Sequence, residues 1–494
     1  MNAQANNISS QLAFGCRMFT DAQLDEIHLA SLEILRHTGV RVHEAEALAL
    51  LQDAGCVVTD GNLVKFPVSV VEDALLYAPS RIVLCDRTGE PRMYLEGHRT
   101  YFGTGSDLPN TLDLETGERR LSLLSDVENT ARLVDSLPNL DFAMSMALPS
   151  DVPTVTSDRY SFLAMIKNTV KPLVFTAWDE AGLTDIISMA QVVAGSADQL
   201  ALNPFLLAYL EPTSPLQHSY EAVRKLLLMA DHGLPVVYAP GCMDGASAPV
   251  TTAGSLTMSN AEILSGLVIA QLRRKGTPFV FGSGGGPLDM RTAVFSYGSP
   301  EFMLHCMGIA ELGHYYYHVP IWGFSGCSDS KLPDIQAGID SALWILWTAL
   351  SGANLVHDIG YIESGLTCSY EMIVICDEVI SFVRRLLGGV ELTREMMAMD
   401  VIHEVGPGGS YIETLHTLNH FDKVWYPRLF DRRTHGAWVE AGKPTAIKSA
   451  KEFAHEIISK HTSKTLSAAT LDTLSGIIAE ADSRASISTK YAKK

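Results

Sequence analysis

Six short, uninterrupted apolar runs punctuate the chain between residues 171 and 358, each opened by a residue such as Pro or Lys and closed by small or polar ones. They are Lys171-Pro-Leu-Val-Phe-Thr176, Pro204-Phe-Leu-Leu-Ala-Tyr209, Pro235-Val-Val-Tyr-Ala-Pro-Gly241, Pro278-Phe-Val-Phe-Gly-Ser283, Pro320-Ile-Trp-Gly-Phe-Ser325 and Asn354-Leu-Val-His-Asp358. A strand buried on both faces reads as a continuous apolar run. The copies recur about every 30 to 45 residues with helical patterns between them, the spacing of parallel strands joined by crossover helices. The pattern predicts a (β/α)8 TIM barrel, whose active site is built at the ends of the strands. Asp141 to Met146 supplies a seventh strand. For the eighth, Thr100 to Thr104 and Val401 to Val405 fit equally well.

Around this barrel the pattern changes. A helix starting at Thr20-Asp21 carries Leu24, Ile27, Leu32 and Leu35 on one face before Gly39 stops it. Another follows near Glu44 to Ala54, and Val57 to Asn110 reads as short strands and turns. Residues 1–110 are therefore expected to be an elaboration packed on the barrel, 111–440 the barrel domain, and 441–494 covering helices and a tail frayed from Ser486. Ser125-x-x-Glu128 and Ser259-x-x-Glu262 have the form of capping boxes, and Ser299-Pro300-Glu301 that of a cap followed by Pro at the first helical position.

Composition narrows the class. At 494 residues the chain exceeds one typical barrel, and its 47% hydrophobic content supplies a large core. A net charge of −19 argues against nucleic acid, which requires a basic footprint. Eight cysteines without a Cys-x-x-Cys pair suit reduced thiols. Met1 to Ser10 is polar and no stretch forms an apolar span, so a cytoplasmic protein is expected.

The predicted strand ends collect aromatic residues: Phe175, Trp178, Tyr209, Tyr238, Phe281, Trp322, Phe324 and Tyr361. Such rings serve either as core packing or as a cage for a quaternary ammonium ion, each face worth about 0.5–2 kcal/mol. Acids and bases gather there too: Glu211, Asp244, Asp329, Lys331, His357, Asp358 and Glu363. Lys331 has the position of a Schiff-base lysine or of a solvated loop residue. His357 suits a general base, a donor to a substrate carboxylate, or a structural histidine. The run Gly282-Ser-Gly-Gly-Gly286 lacks the Lys-Ser/Thr ending of a P-loop and does not fit the dinucleotide fingerprint. It implies instead close approach of backbone to a bulky ligand at Gly284 and its neighbours. His314 and His318 stand four apart with no third ligand nearby, so no metal site is assigned.

Several further segments carry a family resemblance: Gly326-Cys-Ser-Asp-Ser-Lys-Leu-Pro-Asp-Ile-Gln-Ala-Gly338, Val356-His-Asp-Ile-Gly360, Val401-Ile-His-Glu-Val-Gly-Pro-Gly-Gly409, His416-Thr-Leu-Asn-His-Phe421 and Trp425-Tyr-Pro-Arg-Leu-Phe-Asp-Arg432. In order and spacing, from about residue 15 to about 480, the chain resembles the trimethylamine methyltransferase (MttB-like) superfamily. That resemblance implies a TIM barrel moving a methyl group from an amine to cobalt(I) of a corrinoid (cobalamin) carried by a separate partner protein, with no cofactor held tightly by this chain. The trimethylamine enzymes carry pyrrolysine, whereas this chain has only standard residues. The implied substrate is then a quaternary amine such as glycine betaine, whose nitrogen leaves as a neutral amine without prior activation. His357, Glu211 and Lys331 are the expected chemical groups, and Phe175, Tyr209, Tyr238, Phe281, Trp322, Phe324, Tyr361 and Gly284 the expected binding surface. A homo-oligomer is expected. A Lys331 aldolase or lyase and a non-catalytic amine-binding protein are the competing readings.

Overall fold

A computed structural model describes residues 15–492, with side chains described as far as residue 486. Its centre is a ring of parallel strands: β1 (Tyr101–Phe102), β2 (residues 142–143), β3 (Leu173–Phe175), β4 (Leu206–Leu210), β5 (Val236–Tyr238), β6 (Phe279–Phe281), β7 (Trp322–Phe324) and β8 (Leu355–His357). Ladders join β3 to β4, β4 to β5 and β5 to β6. Single parallel bridges, Phe281 to Ile321, Gly103 to Phe142 and Ala143 to Leu173, carry the ring through β7, β1, β2 and β3. β8 pairs with β7 on one side and with β1 on the other, so the ring is closed and has no edge. The eighth strand is thus the earliest in the chain, at Tyr101–Phe102. Val401 to Val405 lies in the helix Met399–Val405, where apolar residues alternate with acids and a histidine at the surface.

The first helix, Asp21–Glu33, starts at the Thr20 cap, with the Gln23 side chain accepting from the Thr20 backbone N–H. It continues as a π-helical turn to Thr38. The second is Ala45–Asp53, capped by Glu44. The Ser299 cap forms, accepting from Phe302 N, with Pro300 first in its helix. The other two capping boxes do not. At the first, Asp126 reaches back to Leu123 N and the helix is Leu124–Ser136. Ser259 and Glu262 lie fully buried inside the helix Thr252–Arg273, which begins two residues after Val250. There the Glu262 carboxylate accepts from Ser214 Oγ and Leu216 N, and so holds a loop on the next crossover. Burial pushes its pKa up to about 7.

Two C-terminal helices cover the barrel. Ala446–Lys460 lies against Tyr370–Leu387 and Leu124–Ser136, and Ala468–Ala492 against Glu180–Ala194. The expected frayed tail from Ser486 is helical through Ala492, with its last two residues outside the described part. The polar Met1 to Ser10 also lies outside it. Among the described residues no helix is long and apolar enough to cross a membrane.

Candidate active site

Residues that pair across parallel strands face the same side, and successive residues alternate. Register therefore decides which strand-end aromatics enter the barrel. Tyr238 pairs with Leu210 on one side and Phe281 on the other, and Phe281 with Ile321. This row faces outward, toward the helices. The Tyr238 ring presses on Gly266, where a Cβ would lie 2.4 Å from it, and its hydroxyl meets His218 Nδ1 at 2.7 Å. Burial keeps His218 neutral, with its pKa down at about 3. Phe281 packs 5.2 Å from the Tyr317 ring, and Phe175, paired with Ala208, packs 5.7 Å from Phe162.

The alternate row points in. Tyr209, Trp322, Phe324 and His357 form one stack, with the His357 ring 4.3 Å from both Trp322 and Phe324 and 5.7 Å from Tyr209. Tyr209 and Trp322 are themselves 5.2 Å apart. Tyr361, just beyond β8, is buried and donates to the Ser106 carbonyl at 2.5 Å. Tyr297, absent from the sequence-based set, lies 6.4 Å from the Tyr361 ring.

The mouth is rich in carboxylates. Asp358 is 1% exposed, sits at φ +76°, and among the described residues neither of its oxygens has a hydrogen-bond partner. His357 Nδ1 is 2.7 Å from Asp358 Oδ1 but off the hydrogen-bonding line, so both ring nitrogens also stay unsatisfied. Trp322 Nε1 and Ser325 Oγ are buried without partners among the described residues as well. Gly105 makes room for this group: a Cβ there would lie 2.3 Å from Asp358 Oδ1 and 2.2 Å from Tyr361 Oη. Orphaned buried polar atoms cost about 1–3 kcal/mol each, which makes this cluster the candidate site.

Glu211 and Asp107 complete the acidic set. Both side chains keep accessible surface within the mouth, where the surrounding protein still desolvates them. Burial pushes both pKa values up. The Tyr209 hydroxyl, donating to Glu211 Oε1 at 2.5 Å, holds Glu211 partly down, and Thr176 does the same for Asp107. Asp107 also lines a cavity of about 210 Å³ beside β3, with Ser145, Phe175, Thr176, Trp178 and Lys225. Lys225 is committed to the Ala177 carbonyl at 2.6 Å.

Other expected residues lie elsewhere. Lys331 is exposed, its Nζ donating to the Asp329 carbonyl at 2.8 Å. Glu363 pairs with Arg119 at 2.7 Å. The glycine run serves the aromatic stack: a Cβ on Gly284 would lie 2.6 Å from Phe324, on Gly282 2.5 Å from Trp322, and on Gly285 2.3 Å from His305. These glycines let bulky side chains of the protein itself approach. Asp107 was missed because it follows β1, the strand that periodicity could not choose.

A closed parallel barrel whose strand ends converge on one aromatic, carboxylate-rich mouth is a TIM-barrel enzyme. The family model described as "Trimethylamine methyltransferase (MTTB)" matches residues 1–485, and the chain belongs to that family. It is a methyltransferase. It is 32% identical over 470 residues to a trimethylamine methyltransferase of Desulfitobacterium hafniense, covering 95% of each chain. It is 31% identical over 426 residues to a glycine betaine methyltransferase of the same species, covering 86% of this chain and 88% of that one. The crystal structure of the Methanosarcina barkeri monomethylamine methyltransferase is similar at 12% identity and a TM-score of 0.49, over 91% of this chain and 89% of that one.

Proposed function

We propose that the barrel mouth binds a zwitterionic quaternary amine, glycine betaine first among them, and passes one methyl group to cobalt(I) of a corrinoid carried by a separate protein. One observation carries the reading. Unsatisfied donors at Trp322 Nε1 and His357 stand in the same buried mouth as the unsatisfied Asp358 carboxylate. A ligand with a carboxylate at one end and a fixed cation at the other satisfies both. The trimethylammonium end has no N–H and asks only for negative charge and aromatic faces. Asp358, Glu211, Tyr209 and Phe324 offer these. The carboxylate end accepts from His357 and Trp322 Nε1, charge-assisted bonds that are shorter and stronger than neutral ones.

The chemistry asks little acid–base work of the protein. A carbon–cobalt bond forms as the carbon–nitrogen bond breaks, and its electron pair stays on nitrogen, which leaves as a neutral amine. Two-electron displacement of this kind is promoted by holding donor and acceptor in line and excluding water. In this reading the inward stack supplies both. Glu211 and Asp358 favour the quaternary ammonium of the substrate more than the uncharged amine of the product, which helps dimethylglycine leave. The exposed Lys331, bound to a backbone carbonyl, gives no support to Schiff-base chemistry.

The test incubates the purified protein with cob(I)alamin and, separately, glycine betaine, proline betaine, carnitine and trimethylamine. Glycine betaine is expected to give methylcobalamin, read by its absorbance change, and one equivalent of dimethylglycine. Failure of every quaternary amine to methylate cobalt would overturn the proposal, and turnover of trimethylamine alone would overturn the zwitterion.

A further inference from the structure

Three phenols stand at the mouth, and two have committed their protons. Tyr209 donates to Glu211 Oε1 and Tyr361 to the Ser106 carbonyl. The third is Tyr297. Its backbone is held on both sides, the N–H donating to Asp329 Oδ1 and the carbonyl accepting from Trp344 Nε1, each at 2.8 Å. Its hydroxyl, by contrast, has no hydrogen-bond partner among the described residues. The ring stands edge-on to Phe295 and Phe302 at 5.3 and 5.4 Å, and a Cβ on Gly365 would lie 2.9 Å from its Cζ. Burial first, and then the charges of Asp358 and Glu211, raise its pKa well above the ordinary value. The hydroxyl thus lies within reach of that carboxylate pair, and it keeps its proton.

The local fold is built to hold this residue in place. After β6 the chain makes a hairpin, Gly284–Asp289 against Val294–Phe295, with Met290 and Arg291 exposed at its tip. Tyr297 follows the second hairpin strand. Asp329, in the loop after β7, accepts from Ser296 Oγ at 2.5 Å and Tyr297 N at 2.8 Å through its two oxygens. The same carboxylate accepts from Ser364 Oγ at 2.8 Å, in the turn after β8 that also carries Tyr361. One acid therefore stitches together the loops of three successive strands, with charge-assisted bonds that are stronger than neutral ones. Of the strand-end acids, Asp329 stands behind the mouth, and Tyr297 is what it presents to the mouth.

A phenol that keeps its proton beside two carboxylates, yet bonds to neither, has its donor free for a third acceptor. The carboxylate of a zwitterionic amine is such an acceptor. Trp322 Nε1 and His357 approach from β7 and β8, and Tyr297 adds a donor from the β6 hairpin. We infer that Tyr297 donates a hydrogen bond to the carboxylate of the bound amine, and that Asp329 is the positioning residue that holds it there. The inference rests on the zwitterionic reading of the mouth given above.

The test uses the full-length protein with cob(I)alamin. Tyr297→Phe is expected to raise KM for glycine betaine about 10- to 100-fold, the range of a hydrogen bond to a charged group, with a smaller change in kcat. Inhibition by tetramethylammonium, which has no carboxylate, is expected to stay where it was. Asp329→Ala is expected to cost a similar factor in KM, and Asp329→Asn, which keeps an acceptor for Tyr297 N, to restore most of it. Because Asp329 acts through Tyr297, the double variant Asp329→Ala with Tyr297→Phe is expected to be no worse than the weaker single one. Trypsin gives a readout without turnover: cleavage after Arg291 reports opening of the hairpin, and Asp329→Ala is expected to quicken it. An unchanged KM in Tyr297→Phe, or equal losses for betaine and tetramethylammonium, overturns the hydrogen bond while leaving the quaternary-amine reading intact. Additive losses, or an unchanged tryptic rate, overturn the role of Asp329. A wild type that methylates cobalt from no quaternary amine overturns the substrate reading and with it the Tyr297 contact, and the tryptic rates then still decide whether Asp329 holds the hairpin.

Discussion

Tyr209, Trp322 and Phe324 on one side, and Tyr238, Phe281 and Phe175 on the other, come from the same kind of strand end and differ only in pleat. The first three enter the barrel and stack around His357. The last three face the helices, where Tyr238 is held by His218 and Phe281 by Tyr317. The inward row surrounds orphaned polar atoms, whereas Tyr238 and Phe281 of the outward row are satisfied and close-packed, and Phe175 borders the cavity beside β3. One residue of register thus separates a side chain that holds the fold from one free to hold a ligand.

The sharpest way to break this comparison is Phe281→Ala. It removes a fully buried outward ring and is expected to cost about 3–5 kcal/mol of stability while leaving KM for the amine unchanged in the folded fraction. A raised KM would move Phe281 into the site. Next in size is Glu262→Gln, in the outward layer beside the loop 214–216. Folding raises the Glu262 pKa from 4.5 to about 7. Its contribution is therefore complete below the unfolded value and is lost as pH rises from about 4.5 to 7, a loss of about 3 kcal/mol. Thermal unfolding of the wild type is expected to weaken across that window, and the glutamine variant, which keeps an acceptor for Leu216 N, to flatten it. Equal pH slopes in the two proteins would refute the assignment.

Asp358→Asn tests the inward row. It is expected to weaken binding of the quaternary amine by about 10- to 100-fold, since hydrogen bonds and contacts to a buried charge are worth about 1.5–3 kcal/mol. Stability is expected to hold or rise, because an unpartnered buried carboxylate is removed. Lost stability with unchanged affinity would make Asp358 structural. The smallest effect belongs to Tyr209→Phe. Burial raises the Glu211 pKa and the Tyr209 hydroxyl lowers it, so its removal sends the pKa higher. Binding a cation requires ionised Glu211, so the pH at which KM reaches its minimum is expected to move up. An unshifted KM profile against pH would separate Glu211 from substrate.

How legible all this is in the sequence follows from the same pleat. The apolar runs of β3 to β8 announce themselves because both faces of each strand are buried. β1 does not, since Tyr101-Phe-Gly-Thr-Gly is too short and too glycine-rich to outweigh the β-branched run at Val401. With β1 unplaced, Asp107 had no strand end to belong to. In-versus-out cannot be read from a continuous apolar run, which carries no alternation; hence Tyr238 and Phe281 were grouped with Tyr209. The glycines of 282–286 read as room for a bulky ligand, and the atoms that approach them belong to Phe324, Trp322 and His305. Ser259-x-x-Glu262 has the letters of a cap, yet buried small residues let the helix run straight through it.

The closure of β1 on β8 has a consequence for the birth of the protein. Tyr101 and Phe102 find their partners only at Leu355 and Val356, so the ring stays open through most of synthesis. At ~5–20 residues per second, tens of seconds separate the emergence of the two strands from the ribosome. During that wait the first strand has an unpaired side and seven-eighths of a barrel has two raw edges, the surfaces on which nascent chains join to the wrong neighbour.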